Sequence, residues 1–331
     1  MKAKRNKTID FPIESDEGKR YLTRCISVTQ SVPLEQIEGK TILGDALVVM
    51  PFLPHGFVNL LIADPFYNLD KDFGGFQFKK TSDESYAEYT EKWISLAMPL
   101  LAENASIYVC SEWRSSSAVE TVLKRHFFIQ NRITWQREKG RGSLNNWKNA
   151  MEDIWFATKT KGYTFNVDAV KVRRRVVAPY REDGRPKDWD ETTEGNFRNT
   201  CPSNFWDDIS IPYWSMAENT AHPTQKPEKL FAKLILASSN AGDVVFDPFL
   251  GSGTTCVVAK KLSRRFVGIE QNPQYCAWTE KRLETAEIDK TIQGFADGVF
   301  WERNTAALQK KSRIKSSMVY EGEELLSISE G

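Results

Sequence analysis

Short apolar runs that stop at an acidic or glycine-bearing turn alternate, along most of this chain, with stretches whose apolar positions recur at helical spacing. The runs Lys40–Leu43 and Val58–Ala63 (VNLLIA), with 105–109, 133–135, 153–157, 244–246 and 266–269, have the length and apolarity of strands in a buried sheet. Between them, 86–101, 118–126, 227–239, 254–262 and 272–284 carry the periodicity of amphipathic helices. Strands alternating with helices predict an α/β domain, doubly wound about a mostly parallel sheet. From about 159 to 215 the pattern dissolves into charged, aromatic and proline-bearing sequence. The chain is also polar and weakly patterned before 39 and after 303. The expected organisation is an N-terminal arm (1–38), two halves of one catalytic domain (39–158 and 216–303) around an inserted region (159–215), and a C-terminal tail (304–331).

A length of 331 residues holds one full catalytic core and a smaller accessory region. With 40% hydrophobic and 27% charged residues, wholesale disorder is excluded. No apolar run approaches the roughly 18 residues of a membrane span, and the basic start MKAKRNKTIDFP lacks the apolar stretch of a secretory signal. A soluble, cytoplasmic protein without membrane contact is therefore expected. The five cysteines never form a CxxC pair and there are three histidines, so no metal site is expected and the thiols read as reduced and structural. The net charge of +1 hides an uneven distribution. Between Gln130 and Thr200 there are fifteen basic and ten acidic residues, a local charge of +5. Such a stretch suits contact with a polyanion, and charge alone leaves a merely solvated face equally open.

The strongest local signal is VVFDPFLGSGTT at 244–255, an apolar strand running into Asp247 and then through Gly251 and Gly253 into a helix. Glycines there let backbone approach a ligand, and a helix N-terminus favours an anionic group. The next strand ends at Glu270, where a carboxylate can accept bonds from both hydroxyls of a ribose, which describes a pocket for an adenosine-containing cofactor. The third glycine of a nicotinamide-cofactor fingerprint is missing, and so is the lysine of a P-loop. The second signal is Asp64-Pro65-Phe66-Tyr67, directly after VNLLIA. The exocyclic amine of a base is a poor nucleophile because its lone pair is conjugated into the ring. Two acceptors aimed at it, the Asp64 carboxylate and the Pro65 carbonyl, pull it towards tetrahedral geometry. Tyr67 would stack on the base and Phe66 would wall the pocket. Asp64 and Asp247 both end parallel strands, so both carboxylates project from one sheet edge, where the two sites can meet.

In this order DPFY, HPTQKP (222–227) and DPFLGSGTT resemble the motifs of the beta-class DNA amino-methyltransferases of bacterial modification systems, over about 42–283. The resemblance implies a Rossmann-like methyltransferase sheet entered in permuted order, with S-adenosylmethionine as cofactor. It implies that Asp45 lies near the cofactor adenine, and Thr224 and Lys226 near its methionine end. Asp247, Phe249, Gly251 and Gly253 would line the methionine and sulfonium, with Asp64 bordering both sites. Glu270 would hold the ribose, with Asn272 and Pro273 beside the adenine. The region 159–215 would recognise the target in DNA. Aspartate rather than serine at the head of DPFY favours adenine N6 over cytosine N4. Family habit also admits a restriction endonuclease partner and a homodimer. Phe66 departs from the usual DPPY, which leaves the hydrogen bonds of Asp64 and Pro65 intact but opens the shape of the pocket. A cytosine-N4 or RNA methyltransferase of the same fold, and a DNA-binding module without catalysis, remain as alternatives.

The other features have bland readings beside functional ones. Arg173, Arg174 and Arg175 suit a phosphate clamp or a solvated run. Lys79 and Lys80, in a loop with Gly74-Gly75, could close over DNA, and Arg141 is a further DNA-contact candidate. Cys201 is not placed as a nucleophile. Trp135, Trp147 and Trp155 read as packing residues rather than base-stacking platforms.

Overall fold

Eight strands form the central sheet: β1 (Lys40–Leu43), β2 (Val58–Ala63), β3 (Leu101–Ser111), β4 (Phe128–Gln136), β5 (Met151–Thr158), β6 (Phe205–Trp206), β7 (Val244–Asp247) and β8 (Arg265–Glu270). The computed structural model describes residues 6–73, 76–137, 144–176, 180–193 and 195–303. The order across the sheet is β1-β8-β7-β2-β3-β5-β4-β6. Neighbours are parallel except that β5 runs against both β3 and β4, giving the mostly parallel α/β sheet expected. Its central strands are mainly apolar because both faces are covered, and Leu60 through Ala63 and Val244 through Phe246 are fully buried.

The principal helices are α1 (Asp16–Leu22), α2 (Asp83–Ala97), α3 (Ser116–His126), α4 (Glu228–Ser238), α5 (Thr254–Lys261) and α6 (Pro273–Ile288). Ser82 caps α2 by accepting from the Ser85 amide, which starts that helix three residues before its apolar periodicity does. Asn272 caps α6 and Pro273 takes its first position, where a missing N–H is harmless. From β2 the chain proceeds to β3 on one side, and from β7 to β8 on the other. The connections therefore diverge between β7 and β2, which pair at Val245 with Leu60 and Phe246 with Leu61. In doubly wound sheets the crevice at such a divergence is where ligands bind.

Two compact units are present, one of 1–166 with 204–290 and one of 167–203 with the chain from 291 onward. The first contains the whole central sheet. Its residues 6–38, part of the expected arm, are tied down: Tyr21 and Ile37 are buried, Ile13 donates to Gln274 Oε1 at 2.9 Å, and Ile26 bridges to Ile42 beside β1. The second unit holds a five-stranded sheet in the order Asp190–Thr192, Gly195–Thr200, Val172–Arg175, Val299–Trp301, Phe295–Ala296. Val172, Phe197, Phe300 and Trp301 are buried in that unit. The boundaries thus fall elsewhere than the sequence pattern puts them. Residues 204–215 belong to the first unit, where β6 joins β4, and 291–303 serves the second unit rather than the cofactor half. Strands of two to six residues that pair across more than 120 positions leave no local periodicity to read.

Trp135 and Trp155 are buried, but Trp147 is 94% exposed and packs into no core. Two short strands, Lys71–Phe73 and Phe76–Phe78, pair at the start of the segment read from sequence as a loop that could close over DNA. Among the described residues no helix is long and apolar enough to cross a membrane.

Candidate active site

At the carboxyl ends of β1, β2, β7 and β8 a cleft of about 320 Å³ opens in the first unit, within the size range of small-molecule sites. Asp45 enters it from the turn after β1, Asp64, Pro65, Phe66 and Tyr67 from the turn after β2, and Thr224 and Lys226 from the segment leading into α4. Asp247 comes from the end of β7, Phe249 and Gly251 from the turn after it, and Glu270 from the end of β8. Eleven of the residues singled out in the sequence therefore line one cleft.

The turn after β7 is shaped by two left-handed glycines, Gly251 at φ 55° and Gly253 at φ 82°. They do different work. A Cβ on Gly251 would approach the His222 ring, a wall of the cleft, at 3.2 Å. A Cβ on Gly253 would meet Thr279 Cγ2 of α6 at 2.5 Å, so this glycine is required by helix packing and does not line the cleft. Asn272 and Pro273 also stay out of the lining, and it is Gln271 and Tyr275 that face the cleft beside them.

The cofactor end is rich in buried carboxyls. Glu270 accepts the amides of Gly251 and Asn272, both at 2.8 Å. Burial pushes its carboxyl up to about 7 despite these donors. Asp247 accepts the Phe249 amide at 2.9 Å and the Thr255 hydroxyl, and burial lifts it likewise to about 7, with Asp64 and Glu270 adding repulsion. Asp45 caps a short helix through the Leu47 amide at 2.8 Å. Acidic groups held near neutrality by burial suit a ligand that brings positive charge.

At the other end lies a buried charge network. The Lys226 ammonium donates to Asp64 Oδ1 and Oδ2 at 2.9 and 2.7 Å and lies 3.3 Å from Glu152 Oε2. The Tyr67 hydroxyl is 3.0 Å from both Asp64 Oδ1 and Glu152 Oε2, and Arg137 pairs with Glu152 Oε1. Two carboxylates and two cations thus balance. Burial works against the Lys226 charge, yet Asp64 and Glu152 overcome it and hold its pKa above the usual lysine range. Burial also works against the Glu152 charge, and Lys226 and Arg137 keep its pKa below the usual carboxylate range. Burial, reinforced by both carboxylates, pushes the Tyr67 hydroxyl well up. Phe66, in the position that departs from DPPY, packs on Tyr89 of α2 with ring centroids 4.5 Å apart.

A second cavity of about 490 Å³ shares His222, Thr224, Gln225 and Lys226 with the cleft and continues to Trp135, Arg137, Glu152, Tyr213 and Trp214. Lys226 therefore stands between a small-molecule cleft and an aromatic chamber. Sequence reasoning missed Glu152 and Arg137. The only signal was an acidic pair, Glu152-Asp153, heading an otherwise apolar strand.

Lys79 and Lys80 are exposed just before α2, and Arg141 is outside the described residues. In the second unit Arg173 lies 5.2 and 5.7 Å from the ring centres of Phe197 and Trp301 and pairs with Asp190 at 3.6 Å. Arg174 pairs with Glu302 at 3.3 Å, and Arg175 is the exposed member of the three. Among the described residues no group of three His, Cys, Asp or Glu could hold a metal ion.

A switch-point cleft, a glycine turn feeding a helix and a buried acid ending the next strand define a doubly wound domain of the kind that binds an adenosine-bearing cofactor. Residues 58–281 match the N6_N4 DNA methylase family, and the chain belongs to that family. It is 33% identical over 291 residues to the DNA adenine methyltransferase YhdJ of Escherichia coli (strain K12), covering 84% of this chain and 92% of that protein. It is 32% identical over 257 residues to the type II methyltransferase M.HpaI of Haemophilus parainfluenzae, covering 75% of each. The crystal structure of an M1.HpyAVI complex with SAM has the same fold, with a TM-score of 0.50 and 24% identity over 73% of this chain and 98% of that one.

Proposed function

We propose that this DNA methylase transfers a methyl group from S-adenosylmethionine to adenine N6 at a specific DNA sequence, on a base turned out of the duplex. The observation that carries the reading is the convergence of Asp64 and Asp247, ending neighbouring strands, on one cleft that shares Lys226 with the aromatic chamber. Family membership supports transfer to an exocyclic amine, and the relative named for adenine, YhdJ, supports the choice of base.

The residues present fit the cofactor. Buried Asp247 and Glu270 complement a cationic ligand, and Leu47, Phe249 and Tyr275 add apolar surface to the lining of the same cleft. Glu270 would accept from the ribose, Asp45 would lie towards the adenine, and Thr224 and Lys226 would lie towards the amino-acid end. S-adenosylmethionine supplies an electrophilic methyl whose bond to sulfur breaks as the amine attacks, the bonding pair staying on sulfur.

The base would reach the cleft by way of the aromatic chamber and stack on Tyr67, with its amine between the Asp64 carboxylate and the Pro65 carbonyl. For this Lys226 must release at least one Asp64 oxygen, and Glu152 is the counter-ion that keeps it in place. Asp64 then orients the amine lone pair and takes up the proton that the methylated nitrogen sheds. Phosphate contacts are assigned to Lys79, Lys80, Arg141 and Arg175, which makes binding salt-dependent, and base readout to the region 159–215. A restriction endonuclease sharing the target sequence, a second copy of this chain and a cytoplasmic setting are the partners and place this reading admits.

The test is mass spectrometry of nucleosides from DNA incubated with the protein and methyl-labelled S-adenosylmethionine, with Asp64→Ala alongside. Labelled N6-methyladenine that disappears in the variant is expected. N4-methylcytosine instead would reverse the choice of base, and no label in DNA would overturn the reading.

A further inference from the structure

The loop joining β4 to β5 leaves the sheet at the edge that carries the active site. β4 runs in the same direction as β2 and β3, because β5 opposes both β3 and β4. Its carboxyl end therefore shares an edge with Asp64 and Asp247. The loop is closed at its root by a bond from the Arg137 amide to the Ala150 carbonyl at 2.7 Å. That root belongs to the site: the Arg137 guanidinium pairs with Glu152, which reaches the Tyr67 hydroxyl.

Three residues out from Ala150 stands Trp147, its Cα within about 11 Å of the root. Seven of the ten tryptophans of the chain are no more than 6% exposed, whereas Trp147 is 94% exposed and Leu144 beside it is fully exposed. Among the described residues nothing buries these two side chains, although each is of a type that is mostly buried. Their setting is basic: residues 137–150 hold Arg137, Lys139, Arg141 and Lys148 against the single acid Glu138. An exposed apolar, planar side chain on a loop of basic sequence matches a polyanion with a stacked aromatic interior, which is nucleic acid. A base that leaves the stack creates a gap of the thickness of one aromatic ring, and the unpaired partner loses its neighbour.

We propose that Trp147 enters the duplex at the target and fills the gap left by the displaced base, with Leu144 packing on the sugar and Lys148 on a flanking phosphate. The proposal rests on the reading of this site as one that acts on a base outside the duplex. It gives that reading a device by which the open state is held, on the same loop whose root positions Glu152. Side-chain wedges of this sort offset the loss of base stacking in other duplex-distorting proteins.

The experiment compares wild type, Trp147→Ala and Trp147→Phe in the full chain by single-turnover methyl transfer. Two short duplexes are used, built on the sequence mapped from a methylated plasmid. In one the target base is paired, and in the other it faces an abasic site and is already unpaired. Trp147→Ala is expected to slow transfer roughly 5- to 100-fold on the paired duplex, the range of one lost base–aromatic stack. On the pre-opened duplex it is expected to stay within about twofold of wild type, since no pair then has to be opened. Trp147→Phe is expected to keep most of the rate on both. Equal losses on the two duplexes, or none on either, would overturn the wedge while leaving the transfer chemistry standing. A wild type that methylates neither duplex would instead overturn the functional reading beneath it, and the wedge with it. As Trp147 packs into no core, the alanine variant is expected to fold normally, which its unfolding midpoint checks.

Discussion

Replacing Glu152 by glutamine removes one charge from a balanced, buried group of four while keeping its shape. In the native site Asp64 and Glu152 offset Lys226 and Arg137, and Lys226 and Glu152 are 6% and 3% exposed. At 3.3 Å the attraction between Lys226 and Glu152 is about 5 kcal/mol for an effective dielectric of about 20. Removing one partner of such a buried pair costs about 3–5 kcal/mol. Glutamine can still bond to Tyr67, and Arg137 is partly exposed, so a loss of about 3 kcal/mol in unfolding free energy is expected. The larger consequence is kinetic. With Glu152 neutral, Lys226 has only Asp64 as a counter-ion, and the amine must compete for a carboxylate more tightly held. A charge-assisted hydrogen bond is worth about 1.5–3 kcal/mol, which corresponds to a fall of roughly 10- to 150-fold in kcat. Cofactor affinity should change little, because Glu152 does not line the cofactor cleft. Single-turnover transfer, cofactor titration and urea unfolding measure the three quantities. The depressed pKa of Glu152 adds a sign: its contribution to stability is present above about pH 4 and lost as pH falls through the folded value, so wild type and variant should converge in acid. A variant with wild-type kcat and an unchanged unfolding midpoint would refute the argument that Glu152 positions Lys226.

Burial lifts Asp247 and Glu270 to about 7, so a cationic cofactor that favours their ionised forms must displace protons below that pH. Its affinity should then rise as pH approaches 7, by up to roughly tenfold per unit for each proton released, and level off above it, with binding heats that depend on the buffer below pH 7; a flat profile throughout would count against this. Without cofactor the same groups contribute stability below about pH 4 that is lost as pH rises through about 7. Gly253→Ala should cost about 2–4 kcal/mol in urea unfolding, from its φ of 82° and the 2.5 Å approach to Thr279, whereas Gly251→Ala should cost about 1 kcal/mol but weaken cofactor binding. Arg175→Ala should lower the slope of log K against log salt for DNA by about 1 and leave stability unchanged. Arg173→Ala should do the reverse, losing about 1 kcal/mol from its ring contacts and its half-exposed pair with Asp190.

Strand ends were the most legible part of the molecule. An apolar run halted by an acid placed Asp64 and Asp247 on one edge, because a parallel sheet allows no other arrangement of carboxyl termini. The glycines were legible as a turn but not as individuals. Whether a missing Cβ makes room for a ligand or for a helix depends on what lies opposite, His222 for Gly251 and Thr279 for Gly253. Glu152 carried no motif, since its role comes from Lys226, 74 positions away, and a buried charge cannot be recognised before its partner is known. Arg173 illustrates the converse. A run of three arginines reads as a surface feature, yet the strand turns one of them onto Phe197 and Trp301.

The pairing of β2 with β7 sets a timetable for synthesis. The β2 strand ends at Ala63 and its partner at Asp247, so at ribosomal rates of about 5–20 residues per second the first waits roughly 10–40 s for the second. During that interval β2, β3, β4 and β5 can pair among themselves, leaving one border of VNLLIA without its neighbour. A bare apolar border of this kind is a template for pairing with another nascent chain. Permuting the order of strands, harmless to the finished enzyme, thus lengthens the period in which the growing chain depends on chaperones or on low local concentration to stay out of aggregates.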